Sequence, residues 1–366
     1  MSGEPITGAE SHRFELIKGL ANTGHEIFVP IRKKMNLGVK GVHTFTIKGG
    51  KVKQSKAFLT VARKEDIEVV YTRNYQAGEL GIWLKRILGT KLIYEVNGLF
   101  YEEYLMLHGL KNKRKAKRIS KNDLKVATNA DAIIAVANEI KENYIKRGII
   151  KDKIHVIENG VNEERFKLIP KVKNNICSQF NIPNDSNIIL FVGHFYAWQG
   201  IDVLIRSMKY VVSSIPNAKL LIVGSGEENE KLKLLVKENN LEESVIFTGP
   251  QKYEVIPEII SSSDVCVSLL TPSKFGALKM WEYLACSKPV VATRMRAYEF
   301  IEKEHCGTLV KYGDETETAN AITSIITNKK MAENMGNNGR QFVLKDHTWK
   351  IVAEKTSKVF EEVTQH

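Results

Sequence analysis

The sequence predicts a two-domain, doubly wound α/β protein, on three observations. Short β-branched runs alternate with amphipathic helical stretches along nearly the whole chain. Its 366 residues exceed what one hydrophobic core organises comfortably. A turn-rich, polar, weakly periodic stretch between Asn159 and Asn187 separates two halves built on the same grammar. Two open α/β sheets joined in this way place the carboxyl ends of their strands across a shared cleft, where such folds bind ligands.

The first half opens on a predicted helix over Ala9–Thr23, striped by Phe14, Leu16, Ile17 and Leu20 and stopped at Gly24, which leads into Glu26–Pro30. A helix of this kind normally follows a buried strand and a glycine turn. Only seven residues precede Gly8, and Met1–Thr7 is not an apolar run. The expectation is that the native protein starts upstream and that its first strand is missing from this chain. Further strands are predicted at Ile67–Thr72, Lys91–Val96, Ala132–Ala137 and Lys153–Glu158. In the second half they fall at Asn187–Gly193, Ala218–Gly224, Ser244–Gly249, Asp264–Leu270, Pro289–Thr293 and Gly307–Val310. Between the first two of these, Ile201, Leu204, Ile205, Met208 and Val212 form a helical stripe of the core-facing kind.

Composition excludes several classes. No run approaches the length of a membrane-spanning helix, and the N-terminus lacks the basic start and apolar stretch of a signal peptide. Four scattered cysteines read as reduced structural thiols of a cytoplasmic protein, neither a metal site nor a disulfide framework. The net charge of +12 is densest in Lys111–Lys121, where Lys111, Lys113, Arg114, Lys115, Lys117, Arg118 and Lys121 stand without an acid. A solvated helix face accounts for this run as well as an anionic membrane surface or an acidic acceptor does. Nucleic acid is the weakest partner, since no aromatic residue interleaves with the cations.

The stretch Ser273–Thr293, SKFGALKMWEYLACSKPVVAT, joins a helical pattern to a buried strand. Glu282 is the lone acid of that helix. It is either a group that accepts hydrogen bonds from sugar hydroxyls or a solvated surface acid. No G-x-G-x-x-G with a downstream acid follows a strand, because Gly224-Ser225-Gly226 continues as Glu227-Glu228-Asn229. No hydrolase nucleophile elbow is present, and no Asp-x-Asp pair marks a metal site.

Six passages in order resemble glycosyltransferase family 4, retaining enzymes of the GT-B fold. They are GAESHRFELIKGLANTGHE from Gly8, the passage Ala130–Val136 with Gly148 and VIENGVNEERF, FVGHFYAWQGIDVLI from Phe191, VGSGE and Phe247-Thr248-Gly249, Leu278–Thr293 in the manner of "LKLYEYLA.GKPVVAT", and His347-Thr348-Trp349 opening a final helix. The "WHG…LKLYEYLA" subset is the nearest pattern. The resemblance implies two Rossmann-like domains. The acceptor domain spans 1–166 and is joined by the C-terminal helix 347–366. The nucleotide-sugar donor domain spans 167–346.

It further implies a hexosyltransferase of cell-surface polysaccharide or glycolipid synthesis, cytoplasmic and peripheral at the inner membrane face, with a lipid-linked or glycan acceptor and no metal or other cofactor. Donor contacts are expected at Gly8, Gly193, His194, Gln199, Gly224, Ser225, Gly226, Glu227, Gly276, Ala277, Leu278, Lys279 and Glu282. The main-chain N–H groups of the glycine turns would cradle the diphosphate, Lys279 would supply charge, and Glu282 would accept from the ribose. For Ser225 and Glu227, capping a helix is the structural alternative.

The pattern is also broken. Lys274 stands where the family often has the first glutamate of E-x7-E, and His194 and Gln199 replace an arginine and a lysine. The diphosphate would then lean on Lys279, Lys274 and Arg73, the last two being plain surface charges in the alternative. Glu95-Val96-Asn97-Gly98 replaces a frequent histidine. Glu95 would orient or deprotonate the acceptor hydroxyl and Asn97 would bind the donor sugar, with a structural role at a strand end as the alternative. These departures and the missing first strand favour one further reading, a non-catalytic subunit retaining the donor fold. A nucleotide-sugar epimerase of the same architecture is another, against which the terminal His347–Val363 helix and the linker argue.

Overall fold

A computed structural model describes residues 8–32, 37–109, 112–170, 172–272, 276 and 278–365. Met1–Thr7, on which the expected upstream strand bears, lie outside the described residues, as do Lys111, Lys274 and Ala277. The chain divides into two compact units, one comprising Ala9–Asn159 with the segment from Trp349, the other Gly160–Thr348.

The first unit runs α1 (Gly8–Asn22), β1 (Ile27–Ile31), β2 (Val42–Thr46), α2 (Lys51–Lys64), β3 (Val69–Thr72), α3 (Tyr75–Leu88), β4 (Lys91–Val96), α4 (Phe100–His108), α5 (Lys113–Asn129), β5 (Ala132–Ala135), α6 (Asn138–Lys146) and β6 (Ile154–Val156). Strands β3, β4, β5 and β6 pair in that order as a parallel sheet, while β1 and β2 form a separate parallel pair. β4 is buried almost throughout, with α3 and α5 packed against it. β2 and α2 carry no strong sequence signal. The first is five residues with three polar side chains, and the second fully buries only Ala62 among the described residues.

The second unit runs α7 (Lys173–Gln179), β7 (Asn187–Val192), α8 (Ile201–Ser214), β8 (Ala218–Val223), α9 (Asn229–Glu238), β9 (Val245–Gly249), α10 (Ile256–Ser262), β10 (Val265–Ser268), α11 (Leu278–Ala285), β11 (Val290–Thr293), α12 (Phe300–Lys303), β12 (Gly307–Val310), α13 (Glu315–Thr327) and α14 (Lys329–Asp346). Its six parallel strands lie in the order β12-β11-β10-β7-β8-β9. Two cores fill its faces, Ile188 and Leu190 of β7 entering one and Ile189 and Phe191 the other. This two-sided burial is why the strands read as unbroken apolar runs.

Several strands are shorter than the runs that predicted them. Asp264 is not part of β10; its carboxylate instead accepts the Ile188 N–H at 2.7 Å and lies 2.9 Å from the Lys173 ammonium. The final helix, α15 (Trp349–Thr364), begins two residues later than the His347 start expected, because Val161 N–H donates to His347 O at 2.8 Å and Thr348 bridges to Val161.

α15 returns to pack on α1. A Cβ built at Gly19 would stand 2.6 Å from Ala353 Cβ, and the His12 ring tilts against Trp349 at 4.7 Å. Gly19→Leu is expected to pry these helices apart and lower stability by about 1–3 kcal/mol. Thermal unfolding followed by circular dichroism checks this; an unchanged midpoint would mean the close approach is not required.

Candidate active site

The strand order of the second unit reverses between β7 and β10. In doubly wound sheets the crevice outside the carboxyl ends at that point is where ligands bind. Two backbones are forced close there. Gly200, at φ +67°, approaches so tightly that a Cβ would lie 2.1 Å from Leu269 O. The Thr271 N–H donates to Trp198 O at 3.0 Å, tying the segment after β10 to the segment after β7. On the other side, Gly224 has φ +129°, and a Cβ on it would stand 2.0 Å from Gly193 O. Only glycine meets both demands.

Of the main-chain donors expected to cradle an anion, two are already used. Gly193 N–H donates to Val223 O and Gly224 N–H to Gly249 O, both at 3.0 Å, so the ladder runs one residue past each strand. These two amides are therefore not phosphate donors. For the amides of His194, Ser225 and Gly226 no acceptor is found among the described residues. Gly276 is exposed, and a Cβ there would make only an ordinary 3.5 Å contact with Tyr298, so the chain's own packing does not require glycine at that position. The Leu278 side chain is partly buried against the core.

Two buried ionisable groups lie on α11. Lys279, 8% exposed, donates from Nζ to Gln199 Oε1 at 2.6 Å and sits 3.9 Å above the Phe191 ring. Burial pushes its pKa down to about 7, with the Glu282 charge opposing. Glu282, 7% exposed, accepts the Tyr253 hydroxyl on Oε1 at 3.0 Å, and burial pushes it up to about 7. It is not a solvated surface acid. Arg165, stacked 5.0 Å over the Tyr253 ring, adds positive charge nearby. Outside this pair, exposed His194 lies 3.0 Å from Glu227. The Glu227 carboxyl is held below its usual value, first by its own backbone amide and then by His194.

In the first unit, the carboxyl ends of β3 and β4 bring Arg73, Glu95 and Asn97 together. Glu95 is 1% exposed and surrounded by donors. His12 Nε2 lies 3.1 Å from Oε1, Arg73 Nε donates to Oε1 at 3.0 Å, Asn97 Nδ2 to Oε1 at 2.6 Å and the Tyr71 hydroxyl to Oε2 at 2.6 Å. Against the burial that would raise it, His12, Arg73 and Tyr71 hold this carboxyl far below the usual range. A carboxylate so stabilised is a poor proton acceptor, so the geometry speaks against Glu95 as the base that deprotonates an acceptor hydroxyl. Arg73, expected as a phosphate contact, donates through Nε to Glu95.

Sequence reasoning missed His12, Tyr71, Phe191 and Tyr253. The contacts they make come from elements distant in the chain, and no spacing encodes them.

Two units of Rossmann-like parallel sheets with helices between the strands define a GT-B-fold protein. Residues 172–342 match the family described as "Glycosyl transferases group 1", and residues 6–165 the one described as "Glycosyltransferase Family 4". An uncharacterized glycosyltransferase of Methanocaldococcus jannaschii is 30% identical over 277 residues, 73% of this chain and 70% of that one. Sucrose-phosphate synthase from Thermosynechococcus elongatus superposes with a TM-score of 0.81 at 24% identity, over 98% of this chain and 94% of that one. HepE of Anabaena, solved with UDP-glucose, gives 0.79 at 19% identity over 100% and 98%. The chain belongs to glycosyltransferase family 4 and is a glycosyltransferase.

The raised Glu282 pKa fixes a pH dependence. Below its ordinary value of 4.5 the group is protonated in both folded and unfolded chains and contributes nothing. As pH rises from 4.5 through about 7 the unfolded chain gives up the proton first, so stability is lost, fully so above 7. Glu282→Gln removes that loss. Its thermal midpoint relative to wild type is expected to be higher at pH 8 than at pH 5, by the equivalent of roughly 2–3 kcal/mol. Parallel melts at the two pH values check this, and a pH-independent difference would contradict it.

Proposed function

We propose that this glycosyltransferase moves a hexose-type sugar, with retention of configuration, from a nucleotide diphosphate sugar to a lipid-linked or polysaccharide acceptor, without a metal. The second unit would hold the donor and the first the acceptor. One observation carries this reading: at the switch point of the second sheet, a buried lysine and a buried glutamate stand one helical turn apart, each too desolvated to be at rest with its charge.

A diphosphate supplies what Lys279 lacks, restoring the ammonium, while the amides of His194, Ser225 and Gly226 supply further donors to it. Glu282 has Oε1 occupied by Tyr253 and offers Oε2 to a ribose hydroxyl. With the donor seated, the work of the protein is to position the acceptor, stabilise the departing diphosphate and exclude water. Glu95 would order Asn97, Arg73 and His12 on the acceptor side without exchanging a proton. Retention is supported by the family resemblance. Metal independence is supported by the missing Asp-x-Asp motif and predicts activity that survives chelation.

A panel of nucleotide sugars tests the reading. One member is expected to raise the thermal midpoint and to release free nucleoside diphosphate when membrane extract supplies the acceptor. Lys279→Ala is expected to weaken that donor by about 10- to 100-fold, the worth of a charge-assisted hydrogen bond. Stabilisation without release would establish a donor-binding subunit instead, and no response from any nucleotide would overturn the reading.

A further inference from the structure

In the first unit, α5 carries an unneutralised cationic face. Ala116, Ile119, Asp123, Val126 and Ala127 are its buried stripe, while Lys113, Arg114, Lys115, Lys117, Arg118 and Lys121 are all exposed. The helix has a single acid, Asp123, and it points inward. Its carboxylate takes the Tyr94 and Tyr144 hydroxyls and an Arg147 guanidinium N–H at 2.9 Å. That buried knot fixes α5 to β4 and α6 and takes the helix's own acid away from its outer face. Among the described residues none of the six cations pairs with a carboxylate. Lys115 instead lies 4.9 Å over the ring of Tyr104, which belongs to the neighbouring helix α4.

α4 is the second observation. Its sequence FYEEYLMLH is rich in apolar and aromatic residues, yet it has no fully buried side chain. Met106 is 40% exposed and Leu107 48%, both at the end of α4 that leads into α5. Large exposed apolar side chains beside a dense cationic face call for a partner that satisfies both. A polyanion satisfies only the cations. An anionic bilayer presents headgroups to the lysines and arginines and an acyl boundary to the apolar tip.

We infer that α4 and α5 form one two-part docking surface for an anionic lipid bilayer, with Met106 and Leu107 entering the interface and the α5 cations holding the headgroups. The inference deepens the lipid-acceptor reading above, and the two can fail separately, since vesicle binding needs no nucleotide and donor stabilisation needs no lipid.

Flotation of the full chain with vesicles provides the test. Wild type is expected to float with phosphatidylglycerol-containing vesicles, to ignore phosphatidylcholine alone and to bind progressively less as salt rises. Lys117→Glu/Arg118→Glu/Lys121→Glu is expected to weaken binding by at least about a hundredfold. Met106→Ser/Leu107→Ser is expected to lose the part of the binding that survives high salt. Both variants should melt as wild type does and respond to the donor as wild type does, because all five residues are exposed. Binding that is indifferent to salt, equal on neutral vesicles or untouched by the charge reversal would overturn the inference. So would binding of a soluble acidic polysaccharide with none to vesicles.

Discussion

The rim of the second sheet depends on backbone touching backbone at the point where its strand order reverses. Gly224 leaves no room for a Cβ against Gly193, nor does Gly200 against Leu269. These close main chains join the turns after β7 and β8 and the end of β10 into one continuous rim. Close packing of this kind is what a site needs if its donors are to be in place before a ligand arrives. It also has a cost. The amides of Gly193 and Gly224 are drawn into the ladder, and the amides left without an acceptor among the described residues are those of His194, Ser225 and Gly226.

Onto this rim α11 delivers two groups whose charges the interior does not satisfy. Lys279 has one hydrogen bond and an aromatic face, and Glu282 one tyrosine hydroxyl. Desolvation outweighs what these partners return, so both titrate near neutrality. A structural ion pair would have been placed at the surface or supplied with more donors. Under-compensated buried charges of this kind mark candidate functional sites, and both lie on this rim.

Much of the architecture was legible in the sequence, since buried parallel strands declare themselves as apolar runs between glycine turns. β7, β8, β10 and β11 lie within the stretches read as strands, and Lys279 and Glu282 could be placed by their position before Pro289–Thr293. What was not legible was whatever depends on neighbours in space. β2 and α2 bury too little to leave a pattern. Tyr253 and Phe191 reach α11 from other elements, and the occupation of the glycine amides follows from sheet register. The cations of Lys113–Lys121 were visible, but the inward turn of Asp123, which leaves them unneutralised, was not.

Glu95 and Glu282 show why residue type alone cannot assign a role. Both are glutamates of the carboxyl-end region of a parallel unit, and both are almost inaccessible to solvent. Glu95 collects four donors, so its charge is over-determined and its pKa falls. It organises His12, Arg73, Tyr71 and Asn97 and has nothing left to offer. Glu282 collects one, its pKa rises, and an oxygen remains to be satisfied. The donor count around a buried carboxylate, more than its burial, separates a group that holds a site together from one that receives a ligand. By that measure the constellation around Glu95 is a scaffold, and the unsatisfied buried charge is concentrated at α11.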